Sequence, residues 1–144
     1  TVHLELSFNG VEYSSDGVVF ANYLRPIVVD VFPRRLPAGV SADIIVTGLN
    51  LQRFEVKPTC LFVSDEFVRI QPAAFETLTT LRCQAPPGPE DTITLVYVAY
   101  DGLQYSTERQ PLYRYDVQTM VPFTGPIYGG TKLSIAGYFL GDET

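Results

Sequence analysis

Cys60 and Cys83 are the residues of this chain best suited to covalent chemistry, and they are its only two cysteines. One lies in the strand-like run Cys60-Leu-Phe-Val63, and the other ends the run Thr80-Leu-Arg-Cys83. A disulfide between them would close a loop of roughly 24 residues and add about 3 kcal/mol by restricting the unfolded chain. The alternative is two buried free thiols, which small cytosolic β-domains often carry. Since disulfides persist in secreted and surface proteins, the bridged form predicts an extracellular or cell-surface location.

Catalysis and metal binding lack the residues that they require. His3 is the only histidine and shares a polar strand face with Glu5, so a Ser-His-Asp or Cys-His arrangement cannot be assembled around it. The acidic pairs at residues 65–66, 90–91 and 142–143 are neighbours along the chain. Such neighbours are neither the facing carboxylates of a glycosidase nor the spaced ligands of a calcium loop. We therefore expect no enzyme activity, no cofactor and no metal site.

The charge distribution argues against two classes of partner. The formal net charge is −6, and the ten lysines and arginines are scattered, with Arg34-Arg35 as the only adjacent pair. A nucleic-acid surface needs clustered basic side chains, so no nucleic acid is expected. No stretch approaches the ~18 consecutive apolar residues of a membrane span, so no direct membrane insertion is expected. The chain opens in strand-like sequence, which suggests either a mature segment or a window from a longer chain.

The elements that position these residues are predicted to be strands, because an octet occurs twice. The sequences FNGVEYSS at 8–15 and YDGLQYST at 100–107 are 92 residues apart. Asn9-Gly10 and Asp101-Gly102 are favoured centres of two-residue type I′ hairpins. Such turns place Leu6 opposite Tyr13 and, in the same register, Val98 opposite Tyr105.

A second match, at an offset of 89, extends the repeat downstream. Pro33 corresponds to Pro122 and Gly48 to Gly137, and the apolar positions around the two glycines have the same spacing. A period of about 90 residues in short alternating strands predicts an all-β fold of tandem immunoglobulin-like β-sandwiches. We predict the closing hairpin of a preceding repeat at 1–25, a complete repeat at 26–117 and the opening strands of a following repeat at 118–144.

These motifs resemble the IPT/TIG domain, the immunoglobulin-like module of plexins, other cell-surface receptors and some transcription factors. The resemblance lies in the opening signature, in Cys60-Leu-Phe62 and in Cys83-Gln-Ala-Pro-Pro87. The opening signature consists of Pro122, Gly125-Pro126, Gly129-Gly130-Thr131, Leu133, Ile135, Gly137 and Phe139. The family resemblance implies an immunoglobulin-like β-sandwich of the IPT/TIG type, used as a non-catalytic module.

One contrast between the repeats suggests an interface. The outward positions of the first hairpin, His3, Glu5 and Ser7, correspond to Leu95, Tyr97 and Ala99 in the complete repeat. A strand that is apolar on both faces needs a second partner. That partner is an adjacent repeat, another chain, or the middle section of the same repeat folded over the strand.

Three functions remain open from the sequence. The first is an extracellular structural or adhesive array that acts as a spacer or assembly unit, whose partners are neighbouring repeats, a further protein or copies of itself. The second is the ligand-binding ectodomain of a plexin-like signalling receptor. The third is an intracellular DNA-binding TIG domain or an accessory carbohydrate-binding domain.

Overall fold

The computed structural model describes residues 1–51, 57–100 and 102–141, and these form β-strands without a helix. Within these ranges there is accordingly no helix long and apolar enough to cross a membrane. The strands are β1 (Val2–His3), β2 (Val19–Phe20), β3 (Ile27–Phe32), β4 (Arg35–Pro37), β5 (Ala42–Leu49), β6 (Thr59–Val63), β7 (Val68–Phe75), β8 (Thr80–Ala85), β9 (Ile93–Ala99), β10 (Gln110–Val121) and β11 (Ser134–Tyr138).

Two layers are built from one hydrogen-bonded path. One layer is β3-β5-β8, and the other is β10-β9-β6 with β4 parallel to β10. Strand β7 joins them, since its first half pairs with β6 and residues 73–75 pair with β8. This arrangement confirms the prediction of an all-β, immunoglobulin-like fold.

The core lies between the layers and is built from every second residue of the strands. Ile44 and Val46 of β5 point into the core, as do Val96 and Val98 of β9. All four side chains are completely buried. Burial of each such side chain stabilises the fold by about 1.5–3 kcal/mol.

The predicted register of both hairpins is wrong, by one residue beside the turns and by three residues where β1 pairs with β2 and β9 with β10. Backbone N–H groups of Ser14 and Ser106 donate to the carbonyl oxygens of Leu6 and Val98, at 2.9 and 2.8 Å. In the first turn the Asn9 side-chain oxygen accepts from the N–H groups of Val11 and Glu12, at 3.0 and 2.9 Å. The Asn9 side chain thus replaces a backbone turn bond and lengthens the loop. Asp101, in the second predicted turn, lies outside the described residues.

The hairpin geometry itself occurs twice. The pairs Val2 with Phe20 and Thr94 with Leu112 are 92 residues apart. In both hairpins the serine hydroxyl also accepts from the backbone N–H opposite, at 3.0 Å from Leu6 and 3.2 Å from Val98.

The opening strand pair also occurs twice, at an offset of 89. Ile27 pairs with Leu49 in β3 and β5, and Asp116 pairs with Tyr138 in β10 and β11, with an irregularity at the same place in each. A Cβ on Gly48 would lie 2.5 Å from the Ile27 carbonyl oxygen, and one on Gly137 would clash with that of Asp116. Both positions therefore require glycine for a specific steric reason, whereas from sequence a glycine in a strand indicates only that the strand is locally weakened.

Candidate functional site: an apolar sheet face and its rim

Cys60 and Cys83 form a disulfide that ties the two layers together. Cys60 lies on β6 and Cys83 on β8, with their Cα atoms 6.3 Å apart, a normal separation for a disulfide. Both residues are buried in the core. The predicted pairing is confirmed.

The predicted interface residues lie on the side of β9 that faces away from the core. Leu95 and Tyr97 are half-buried there, and they alternate with the buried Thr94, Val96 and Val98. Ala99 is completely buried and offers no accessible surface for a partner. Whether Leu95 and Tyr97 contact a partner stays a prediction.

Neighbouring strands extend this apolar surface in register. Side chains of directly opposed residues lie on the same side of a sheet. Leu95 is opposed by Val63 and Pro111, and Tyr97 by Leu61. We call this surface the outer face; it comprises Leu61, Val63, Val68, Ile70, Ile93, Leu95, Tyr97, Pro111 and Tyr113.

Sequence reasoning identified only the β9 part of the outer face. The available signal was a second loss of alternation in Cys60-Leu-Phe-Val63, where every residue is apolar. Assembling the face also required the pairing of β6 with β7 and β9, which strand patterns alone do not specify.

A groove of about 480 Å³ lies at one end of the outer face. Val63, Ile93 and Leu95 line it on the sheet side, and Phe139, in the turn after β11, lines it on the other. The Phe139 ring also packs on Tyr113, with centroids 5.1 Å apart and the planes tilted by 51°. The β10–β11 hairpin therefore contacts the outer face directly.

Carboxylates form the rim near this groove. Asp65 and Asp91 line it beside the apolar residues. Close by in sequence, a hydrogen bond with the Asp116 carboxyl raises the pKa of Glu90, and repulsion between the two charges acts in the same direction. Glu90 precedes β9, and Asp116 lies within β10.

Among the residues that the structure describes, no group of three or more histidine, cysteine or acidic side chains could hold a metal ion. His3 is exposed on β1, opposite Val19. The pairs at 65–66 and 90–91 belong to no group of three or more potential metal ligands within the described part of the chain. The pair at 142–143 lies outside it.

Arg114 is a structural residue that the sequence reasoning missed. It is completely buried at one end of the sandwich, and burial lowers its pKa. Its guanidinium donates to the carbonyl oxygens of Val40, at 2.9 Å, Pro37 and Pro86, and so holds two loops against β10. The sequence signal that could have revealed it is its position two residues after Leu112, which puts both side chains on the core-facing side of β10.

A cluster of polar and aromatic contacts joins the first hairpin segment to the rest of the chain. The Tyr23 ring packs edge to face on Tyr100, with centroids 5.7 Å apart. The Tyr100 hydroxyl donates to the Asn50 carbonyl oxygen, and the Asn50 amide donates to the Arg25 carbonyl oxygen at 3.2 Å. Residues 23–25 are thus fixed to the end of the sandwich.

Known proteins resemble both the sandwich and the whole chain. Residues 26–115 match the family model described as IPT/TIG domain. Over 96% of its length the chain is 24% identical to Fibrocystin-L of Mus musculus, and it is equally similar to Fibrocystin-L of Homo sapiens. It spans only about 3% of the length of these relatives. Since the family match covers more than half of the chain, the protein belongs to the IPT/TIG domain family.

Proposed function

We propose that this chain is a section of an extracellular tandem array of IPT/TIG modules, which serves as a non-catalytic spacer or assembly unit in a large surface protein. The module at 26–117 is complete, and residues 1–25 and 118–144 belong to its two neighbours. The disulfide and the similarity to Fibrocystin-L support the extracellular location.

The observation that carries the proposal is a difference in burial between equivalent residues. Leu6 is 63% exposed, whereas Val98, its equivalent at an offset of 92, is completely buried. Ile135 is 52% exposed, whereas Val46, its equivalent at an offset of 89, is completely buried. The terminal hairpins therefore repeat the backbone pairing of the sandwich without the core that covers it.

The same feature favours an array over the third function, because a single DNA-binding or carbohydrate-binding module does not require the pairing geometry to recur at both ends of the chain. The acidic net charge of −6 further disfavours DNA contact.

Mechanical unfolding of the full-length protein tests the proposal. Residues 26–115 span 90 positions, which corresponds to about 300–320 Å of extended chain once the disulfide is reduced. With Cys60 and Cys83 joined, the 23-residue separation between them cannot extend, and the step shortens to about 220–240 Å.

A series of similar steps, of which the one assigned to this module lengthens by about 80 Å on reduction, is the expected result. The Cys60→Ala, Cys83→Ala double variant is the matched control, because its step should be long without reductant. Unfolding of residues 1–144 as one unit of greater length would contradict the division into modules.

A further inference from the structure

Apolar or aromatic residues form both sides of the contact between Phe139 and the outer face. Phe139 packs on Tyr113 and shares the groove with Ile93 and Leu95. All four side chains are apolar or aromatic, and they come from two hairpins that the proposed array assigns to successive modules.

The junction between residues 1–25 and the complete module has different residues at the positions equivalent to both sides of this contact. The offset of 89 relates Phe139 to Asn50, and the offset of 92 relates Tyr113 to Ala21 and Leu95 to His3. Asn50 uses its amide on the Arg25 carbonyl oxygen instead of packing on a sheet face. Where the face is polar or small, the following hairpin thus carries no aromatic anchor.

The chain segments that connect successive modules also differ between the two junctions. Strand β10 runs without interruption from Gln110 to Val121; its first part pairs with β9 and its second part with β11. At the first junction residues 21–26 separate β2 from β3. A strand shared by two hairpins leaves no linker that could act as a hinge.

We propose that Ile93, Leu95 and Tyr113 form a docking surface for the following module of the same chain, with Phe139 as the anchor. This inference rests on the tandem array proposed above. The occupant is the following module because its hairpin is already seated on this surface through Phe139. The array then has two kinds of junction: a docked one after the complete module and one before it that lacks this contact.

Hydroxyl-radical footprinting of the full-length protein, read by mass spectrometry, tests the docking. Ile93 and Ile70 are a matched pair on the outer face, with exposures of 45% and 58%, but only Ile93 lines the groove. We expect Ile93 to react several-fold more slowly than Ile70. Replacement of Phe139→Asn should bring the Ile93 rate up to that of Ile70, whereas the control Ile70→Asn should leave Ile93 protected.

Each other outcome has one meaning. Equal rates at Ile93 and Ile70, with Ile135 protected, would overturn the docking and leave the array intact. A reactive Ile135 in the full-length protein would overturn the array as well, because its equivalent Val46 is a core residue. Protection of Ile93 that disappears on dilution would assign the surface to a second copy and overturn the proposal.

Discussion

Loss of the disulfide between Cys60 and Cys83 is expected to destabilise the IPT/TIG module by about 3 kcal/mol. The bridge closes a separation of 23 residues, and the value is the loop-closure entropy that the unfolded chain regains when the bridge is removed. For a module of this size, the change corresponds to a lowering of the unfolding midpoint by roughly 12–24 °C.

Urea unfolding of the protein with and without excess thiol measures the effect, with tyrosine fluorescence as the signal because the chain has no tryptophan. Reduction keeps both sulfur atoms in the core, so the difference reports the constraint rather than a cavity. The Cys60→Ala, Cys83→Ala variant controls for other effects of the thiol and should not respond to it. A difference below about 1 kcal/mol between oxidised and reduced protein would refute the loop-closure reasoning.

Two further predictions concern the backbone and the rim. Replacement of Gly48→Ala should lower the free energy of unfolding by about 1–3 kcal/mol, because the new Cβ meets the Ile27 carbonyl oxygen, while Gly141→Ala, in open space, should have little effect in the same urea titration. A raised Glu90 pKa means that the protonated Glu90 carboxyl, hydrogen-bonded to Asp116, stabilises the fold at low pH and that this stability is lost as pH rises through the raised value. Relative to wild type, Glu90→Gln should therefore gain stability as the pH rises above the ordinary carboxyl pKa of 4.5, and a difference that does not change with pH would rule out the carboxyl pair.

Much of the fold could be predicted because the repeated turns and apolar runs are local signals for strands. The spacing around Gly48 and the hairpin around Val98 predicted strands, and these residues lie in β5 and β9. The cysteines were identified as a pair because their strand-like flanks placed both in a core. In each case the information is local, since a strand of period two reveals its inward face without knowledge of its neighbours.

The rest could not be predicted because it depends on contacts between distant segments. The hairpin register depended on how the Asn9 side chain bonds within its own turn. The outer face needed the pairing of four strands, so sequence reasoning recovered Leu95 and Tyr97 but not Leu61. Burial of Arg114 was unexpected because the carbonyl oxygens that it bonds come from residues 28 to 77 positions away.

The most direct test of the array concerns Met120, the only methionine in the chain. It is 42% exposed, while its equivalent Val31 is buried to 1% in the complete module. In the native full-length protein, the following module should cover Met120, so peroxide should oxidise it slowly until that module unfolds. Oxidation as fast as that of a methionine in an unstructured peptide would contradict the array.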